Sequence, residues 1–248
     1  MASSTSLTAC GDTPAVLRLG LLGGFRLSHG GDGGNEIDVT ASGQQLLALL
    51  GLRGPATRSV LAGTLWPEVP EHRARASLRT AMWRLNGAGS AIADVRTGVL
   101  SLSPLVRMDI DDLTATAHEA LSAADGSRVR GESAALLGRG ELLPGWDQEW
   151  VVFERERLHQ LRLHALEALS ARLVAQGAYA TALEAALEST RIDPLRESAH
   201  RAVVSVHLAE HNVAEAVRHY EGFRALLLRE LGVEPSRQFS VMVRRVLV

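Results

Sequence analysis

Lysine is absent: all 26 basic residues of this 248-residue chain are arginine. Every cation is therefore a planar, permanently charged fork of a shape that suits phosphates and base edges. The missing lysine also excludes a Walker phosphate loop in the glycine run Gly30 to Gly34, which lacks the strand-to-helix setting as well. Cysteine occurs once, at Cys10, which excludes an internal disulfide framework and fits a reducing cytoplasm. Aromatic residues are sparse at 4%. No apolar run approaches the roughly 18 to 20 residues of a membrane span, so a soluble, cytoplasmic protein without membrane contact is expected. The segment LTAC (Leu7 to Cys10) has the look of a lipoprotein cleavage box, but no basic region or apolar stretch precedes it, and residues 1–15 read as a disordered tail. The nine histidines and the carboxylates show no metal-ligand spacing. Glu154, Glu156 and His159 read as one solvated helix face, and Glu210 with His211 as another. No acyl-transfer constellation appears, so the reading includes no enzyme activity, no metal and no cofactor.

What is present is an asymmetry of charge. Residues 1–108 carry ten arginines and seven acids, whereas residues 109–248 carry sixteen and twenty-one. The excess peaks between Ser42 and Arg107, with eight arginines against three acids. A local basic patch on a nearly neutral chain fits a nucleic-acid face joined to a protein-binding half.

Hydrophobic period divides the chain at the same place. VLRLGLLGGFRL (Val16 to Leu27) alternates as strands do, with a kink at Gly23-Gly24. HGGDGGNE reads as a hairpin connection and IDVT (Ile37 to Thr40) as a return strand. The period then becomes helical. Ser42 is placed to cap a first helix that ends at Gly54-Pro55, and Thr57 a second that ends at Pro67. A third runs through HRARASLRTAMWRLN (His72 to Asn86) and stops at NGAG. IADVRTGVLSL offers two strands joined around Arg96-Thr97-Gly98. A small sheet, three helices and a terminal hairpin make the plan of a winged helix-turn-helix, whose third helix enters the major groove.

From about Ile110 the chain reads as helix throughout. QGAYATALEAALES (Gln176 to Ser189) and EHNVAEAVRHYEGF (Glu210 to Phe223) align at an offset of 34 residues, matching Gly177 to His211 and Ala182 to Ala216. That is the tetratricopeptide period, in which small residues let paired helices approach. Pro194 and Pro235 stand at helix-start or helix-stop positions. Helices near Asp112 to Ala123 and Glu132 to Leu137 are expected to cap the two repeats. The fold class is thus mainly α with small β: an N-terminal winged helix-turn-helix with an extra sheet, then an all-α tetratricopeptide-like domain.

The third helix carries the candidate chemistry. With Leu78 at the centre of a helical wheel, Ala81, Met82 and Leu85 share its buried stripe. Arg73, Ala76, Thr80, Trp83 and Arg84 collect opposite, with Ser77 and Arg79 on the shoulders, and this outer face reads as lacking any acid to pair with. A solvated helix with chance arginines is the plainer alternative; the position on the recognition helix favours contact with DNA. Arginines there can pair with guanine or phosphate, and Ser77 or Thr80 can reach either. Trp83 has two readings, a base contact or packing under the hairpin, and packing is favoured. Arg96, with Thr97 at the hairpin tip, is balanced between solvation and a minor-groove or phosphate contact. Gln44 and Gln45 can donate to phosphate or cap the first helix.

These segments together resemble the Streptomyces antibiotic regulatory proteins, the SARP family. LRLGLLGGFRL, QQLLALLGLR, RSVLAGTLWPE, ASLRTAMWRLN, VRMDIDDL, LLPGWDQEWVVFERERL and ELGVEPS fall in the family's order and spacing. The resemblance implies an OmpR-like winged helix over residues 16–108 and a bacterial transcriptional activation domain over 109–248. It further implies an activator that binds direct repeats of double-stranded DNA at promoters of biosynthetic genes, as a dimer on DNA, and recruits RNA polymerase holoenzyme through its sigma factor. By the same analogy the loop WPEVPEHR is the polymerase contact, with Trp66, Glu68, Glu71 and His72 as candidates. Two departures are visible: Ser77 stands where the family commonly has asparagine, removing a bidentate adenine contact, and Asn86 where it commonly has arginine. The nucleotide-binding and sensor modules of larger members are not expected. Arg79, Thr80 and Arg84 are the expected contacts to bases or nearby phosphates, and Arg73, Arg75 and Arg96 mainly to phosphates. The rival reading is a helical scaffold that binds a protein or small metabolite in the tetratricopeptide groove; a repressor using the same DNA face is not separable from an activator by sequence.

Overall fold

The computed structural model describes residues 17–30, 34–86, 92–122 and 133–245. The 1–15 tail, with its LTAC segment, lies outside them. The chain forms two compact units, Met1–Asp109 and Ile110–Val248.

In the first unit β1 (Leu17–Gly20) and β2 (Arg26–His29) pair antiparallel, with Leu19 opposite Leu27. Gly23 and Gly24 form the connection, at φ 75° and 132°. That backbone is open to glycine and strained for other residues. The expected return strand at Ile37 to Thr40 does not form: a single bridge joins Ser28 to Glu36, and the Ile37 amide donates to the Leu27 carbonyl at 2.8 Å. The third place in the sheet belongs to β6 (Val106–Met108), parallel to β1 with Met108 opposite Leu19. Asp109 closes this sheet. Its buried carboxylate accepts from the amides of Leu21 and Leu22, each at 3.0 Å.

Three helices fill the space between this sheet and the hairpin. In α1 (Ala41–Arg53), Leu46, Leu47, Leu49 and Leu50 are buried. Ser42, expected as its cap, lies inside the first turn; Thr40 occupies the cap position, its hydroxyl meeting Ser42 Oγ at 3.4 Å and accepting from no helix amide. A Cβ at Gly51 would stand 2.7 Å from the Met108 Sδ, so α1 lies close against β6 and a larger residue there would have to displace the Met108 side chain. β3 (Ala56–Thr57) leads into α2 (Arg58–Leu65), capped as expected by Thr57 Oγ1, which accepts from the Val60 amide at 3.5 Å. α3 (Glu71–Asn86) follows, then the hairpin of β4 (Ala93–Arg96) and β5 (Val99–Leu102). β5 also pairs with β3, making a second three-stranded sheet. The turn residues Thr97 (φ 50°) and Gly98 (φ 85°) are both left-handed, as in a two-residue type I′ turn, whose twist matches that of the flanking strands.

The second unit is helical among its described residues: α4 (Asp109–Ser122), α5 (Ser133–Leu137), α6 (Glu149–Ala175), α7 (Tyr179–Ile192), α8 (Glu197–Ala209), α9 (Val213–Leu231) and α10 (Arg237–Arg244). The pairs α6–α7 and α8–α9 are tetratricopeptide-like. Helices α7 and α9 start 34 residues apart, and Ala182 and Ala216 are fully buried at the close approaches. The repeat extends to the turns: Gly177 (φ 72°) and His211 (φ 61°) both adopt the left-handed region. In each turn the following amide reaches back five residues, Ala178 to Leu173 at 2.9 Å and Asn212 to His207 at 2.8 Å.

Two arginines of α6 brace the irregular stretch from the end of α5 into the LLPGWDQEWVVFERERL segment. Arg155 donates to the carbonyls of Leu142, Leu143 and Trp146 at 2.9, 2.7 and 2.8 Å. Arg162, buried, donates to the carbonyls of Leu137, Arg139 and Gly140, and burial lowers its pKa. One face of α6 thereby supplies donors that an irregular stretch without a ladder needs. The expected solvated face is corrected here: Glu156 is exposed, but Glu154 is 8% exposed and paired with Arg157 at 2.7 Å.

Candidate nucleic-acid interface

Helix α3 buries Ala74, Leu78, Ala81 and Leu85 on one stripe, at the spacing of an amphipathic helix. Met82, expected on this stripe, is half-buried. The opposite face presents Arg73, Thr80, Trp83 and Arg84, with Ser77 and Arg79 on its shoulders, and Arg75 stands at the edge of the buried stripe; all are exposed. α2 packs against α3 and holds this face outward.

The cations are not equivalent. Arg75 pairs with Glu71 at 2.8 Å and donates to Ser59 Oγ at 2.5 Å. The helix begins at Glu71, one residue before the expected start, and Glu71 stands a heptad before Leu78, on the side of the buried stripe rather than on the outer face. Among the described residues Arg73, Arg79 and Arg84 have no carboxylate partner. Thr80 Oγ1 donates to the Ala76 carbonyl at 3.1 Å, so its proton is committed to the helix and its oxygen is left as an acceptor. Trp83 does not pack under the hairpin; it is 74% exposed.

Trp83 borders a cleft of about 610 Å³ between α3, the start of α2 and the β4–β5 turn. Leu78, Met82 and Trp83 give it an apolar floor; Arg58, Arg75 and Arg79 stand around it. Thr97 is exposed at the turn and Gly98 lines the cleft. The Arg96 backbone pairs with Val99, while its side chain lies outside the described residues. Gln44 Nε2 donates to the Val39 carbonyl at 2.9 Å, which fastens the start of α1 and engages the amide expected to be open to phosphate. In the loop between α2 and α3, Trp66 is half-buried and Glu68 is exposed, as are Glu71 and His72 at the start of α3.

The helical unit has a polar cluster that sequence reading missed, because its members come from different helices. His200 Nε2 contacts the Pro194 carbonyl at 2.9 Å, and Nδ1 contacts His219 Nε2 at 3.0 Å. A carbonyl only accepts, so Nε2 carries the His200 proton and Nδ1 accepts from His219. The His200 ring stacks on Phe223 at 4.0 Å. Burial, reinforced by His200 and His207, pushes the His219 pKa down to about 4, and burial also lowers that of His200. Both rings are neutral at pH 7. A cleft of about 370 Å³ opens beside them, lined also by His207, Glu215 and Arg218. Among the described residues no cluster could hold a metal ion, and no helix is long and apolar enough to cross a membrane.

Comparison with known proteins adds the following. Residues 107–247 match the family described as bacterial transcriptional activator domain. Regulatory protein AfsR of Streptomyces coelicolor is 32% identical over 249 aligned positions, covering 94% of this chain and 24% of that one. Regulatory protein AfsR of Streptomyces griseus is 29% identical, covering 95% and 25%. The chain thus spans about a quarter of the length of these relatives. A solved structure of Mycobacterium tuberculosis EmbR, in complex with a low affinity phosphopeptide, superposes with a TM-score of 0.68 at 21% identity, over 94% of this chain and 65% of that one. At that identity the likeness is one of fold.

Proposed function

The chain belongs to the SARP family of regulators that carry a bacterial transcriptional activator domain, and from that premise we propose that it is a sequence-specific, double-stranded-DNA-binding activator of transcription. Residues 16–108 form the DNA-binding domain and 109–248 the activation domain, and the protein works in the cytoplasm at the nucleoid. Two protomers occupy direct repeats at promoters of secondary-metabolite genes and recruit RNA polymerase holoenzyme, sigma factor included. The observation that carries the reading is the outer face of α3, where Arg73, Arg79 and Arg84 stand exposed, without carboxylate partners among the described residues, beside an adjacent hairpin turn. Unpaired arginines on a helix held outward by a helix-turn-helix are the groups that meet guanine edges and phosphates.

Arg79 and Arg84 are assigned to bases or nearby phosphates, with Thr80 serving through its oxygen or methyl group. Arg73, Arg75 and Arg96 are assigned mainly to phosphate. For Arg75 this means leaving Glu71 and Ser59, so it contributes less than Arg73. Ser77 and Thr97 lie at the edges of the same surface. Gln44, already bonded to Val39, supports α1 and is not assigned a DNA contact. Trp66, Glu68, Glu71 and His72 remain the surface proposed for polymerase.

The test is a mobility shift with the full chain on promoter duplexes flanking its own gene, with scrambled competitor and a salt series. A competitor-resistant complex that forms stepwise on a direct repeat, and weakens steeply with salt, supports the reading. Binding that scrambled DNA removes equally, or none at all, refutes it and moves the function to the helical unit as a scaffold.

A further inference from the structure

The residues from Arg73 to Arg84 that face outward are suited to some base pairs and not to others. Arginine reads guanine through O6 and N7, and Arg73, Arg79 and Arg84 are exposed here without carboxylate partners among the described residues. Adenine is read by a bidentate asparagine or glutamine, and this face has neither. Ser77 is short, and the Thr80 hydroxyl proton is held by the Ala76 carbonyl. An A·T pair meeting this surface in the major groove finds no bidentate partner for adenine, and the feature that sets it apart from G·C is the thymine 5-methyl, the one apolar group that a major-groove edge presents.

The face has a counterpart for that group. Trp83 has the largest exposed fraction among the exposed large hydrophobics of the described residues, at 74%, and it does not stand alone. It continues into the Leu78 and Met82 surface of the 610 Å³ cleft, with Arg79 one helical turn away and Arg58 and Arg75 at the edge. An apolar patch ringed by cations fits a ligand that presents an apolar group between anions. A thymine methyl lying between two phosphate backbones has that arrangement. A hydrophobic protein partner would instead meet uncompensated cations at the rim.

We propose that Trp83 is a specificity-determining residue that selects thymine at one position of each half-site by packing against its 5-methyl group. This rests on the DNA-binding reading above and adds to it the identity of a base.

The experiment begins with selection of duplexes from a random library by the full-length protein. The selected duplex is then resynthesised with each thymine replaced in turn by deoxyuridine, which removes a methyl group and leaves every hydrogen-bonding edge unchanged. Affinities are measured by fluorescence anisotropy for the wild type, Trp83→Ser and Trp83→Leu, with circular dichroism melting as the control for folding. At one thymine per half-site, methyl removal should weaken wild-type binding about fourfold, the effect of burying one methyl group. Trp83→Ser should bind both duplexes equally, while Trp83→Leu keeps part of the difference. The proposal is overturned if no single methyl removal changes wild-type affinity by more than about twofold, or if Trp83→Ser retains the full difference. In either case selection of a specific duplex leaves the DNA-binding reading standing. If no duplex is enriched, the DNA-binding reading itself fails, and this inference with it.

Discussion

Replacing Asp109 with alanine should unfold the N-terminal sheet under conditions where the wild type is stable. The carboxylate accepts from two backbone amides, Leu21 and Leu22, at 3.0 Å, and both donor residues are buried, as is Asp109 itself. Truncation leaves two N–H groups without acceptors in the interior, each costing about 1 to 3 kcal/mol. The expected loss is therefore about 2 to 6 kcal/mol, a large fraction of the stability of an ordinary domain. Asp109→Asn keeps one carbonyl oxygen and turns an amide donor toward the other N–H, so it should lose about half as much. Urea unfolding monitored by circular dichroism gives the total, and hydrogen exchange at the Leu21 and Leu22 amides localises it, since the two units need not unfold together. A loss below about 0.5 kcal/mol for Asp109→Ala, with both amides still protected, would refute the clamp.

Three further outcomes are expected. Arg84→Ala should weaken binding to a selected duplex by about 1 to 3 kcal/mol if it reads a base, or flatten the salt slope if it holds phosphate; if neither changes, α3 is not the reader. The His219 pKa is depressed to about 4 from 6.5, so the unfolded chain binds the extra proton first, and stability falls as the pH drops from about 7 toward 4. With the ring partly open to solvent the loss is about 2 kcal/mol, and His219→Gln should remove most of this slope in melting curves measured across that range. His211 holds a left-handed conformation at φ 61°, where its repeat partner is Gly177, so His211→Gly should stabilise the helical unit by about 0.5 to 1 kcal/mol in thermal unfolding; a destabilisation would mean that the His211 side chain has a role the turn geometry does not reveal.

Much of this architecture was legible because its signals are local. The Thr57 cap, the Gly54-Pro55 stop, the Thr97-Gly98 turn and the Leu78, Ala81 and Leu85 stripe each depend on residues within a few positions of one another, and each stands where the pattern puts it. The 34-residue offset was equally readable, since burying a helix pair against its neighbour demands a small residue at the same place in each repeat. The placement of Arg73 and Arg84 on the outer helix face, with Arg79 on its shoulder, followed from the same 3.6-residue period. What the sequence determined by itself, then, is a winged helix followed by tetratricopeptide-like helices, with an arginine-bearing face on the third helix.

Tertiary structure decided the partners. Val106–Met108 is too short to show a period, and it joins β1 across nearly ninety residues, taking the place that Ile37 to Thr40 was expected to fill. Asp109 and Arg162 look like surface charges in a linear reading, yet each is buried by backbone groups remote in the chain. Arg75 is drawn to Ser59, sixteen residues away, and Trp83 is left in solvent rather than under the hairpin. The physical reason is the same in each case. Helical period and turn chemistry are encoded within a few residues, whereas the burial and satisfaction of a polar group depend on which distant backbone the fold brings beside it.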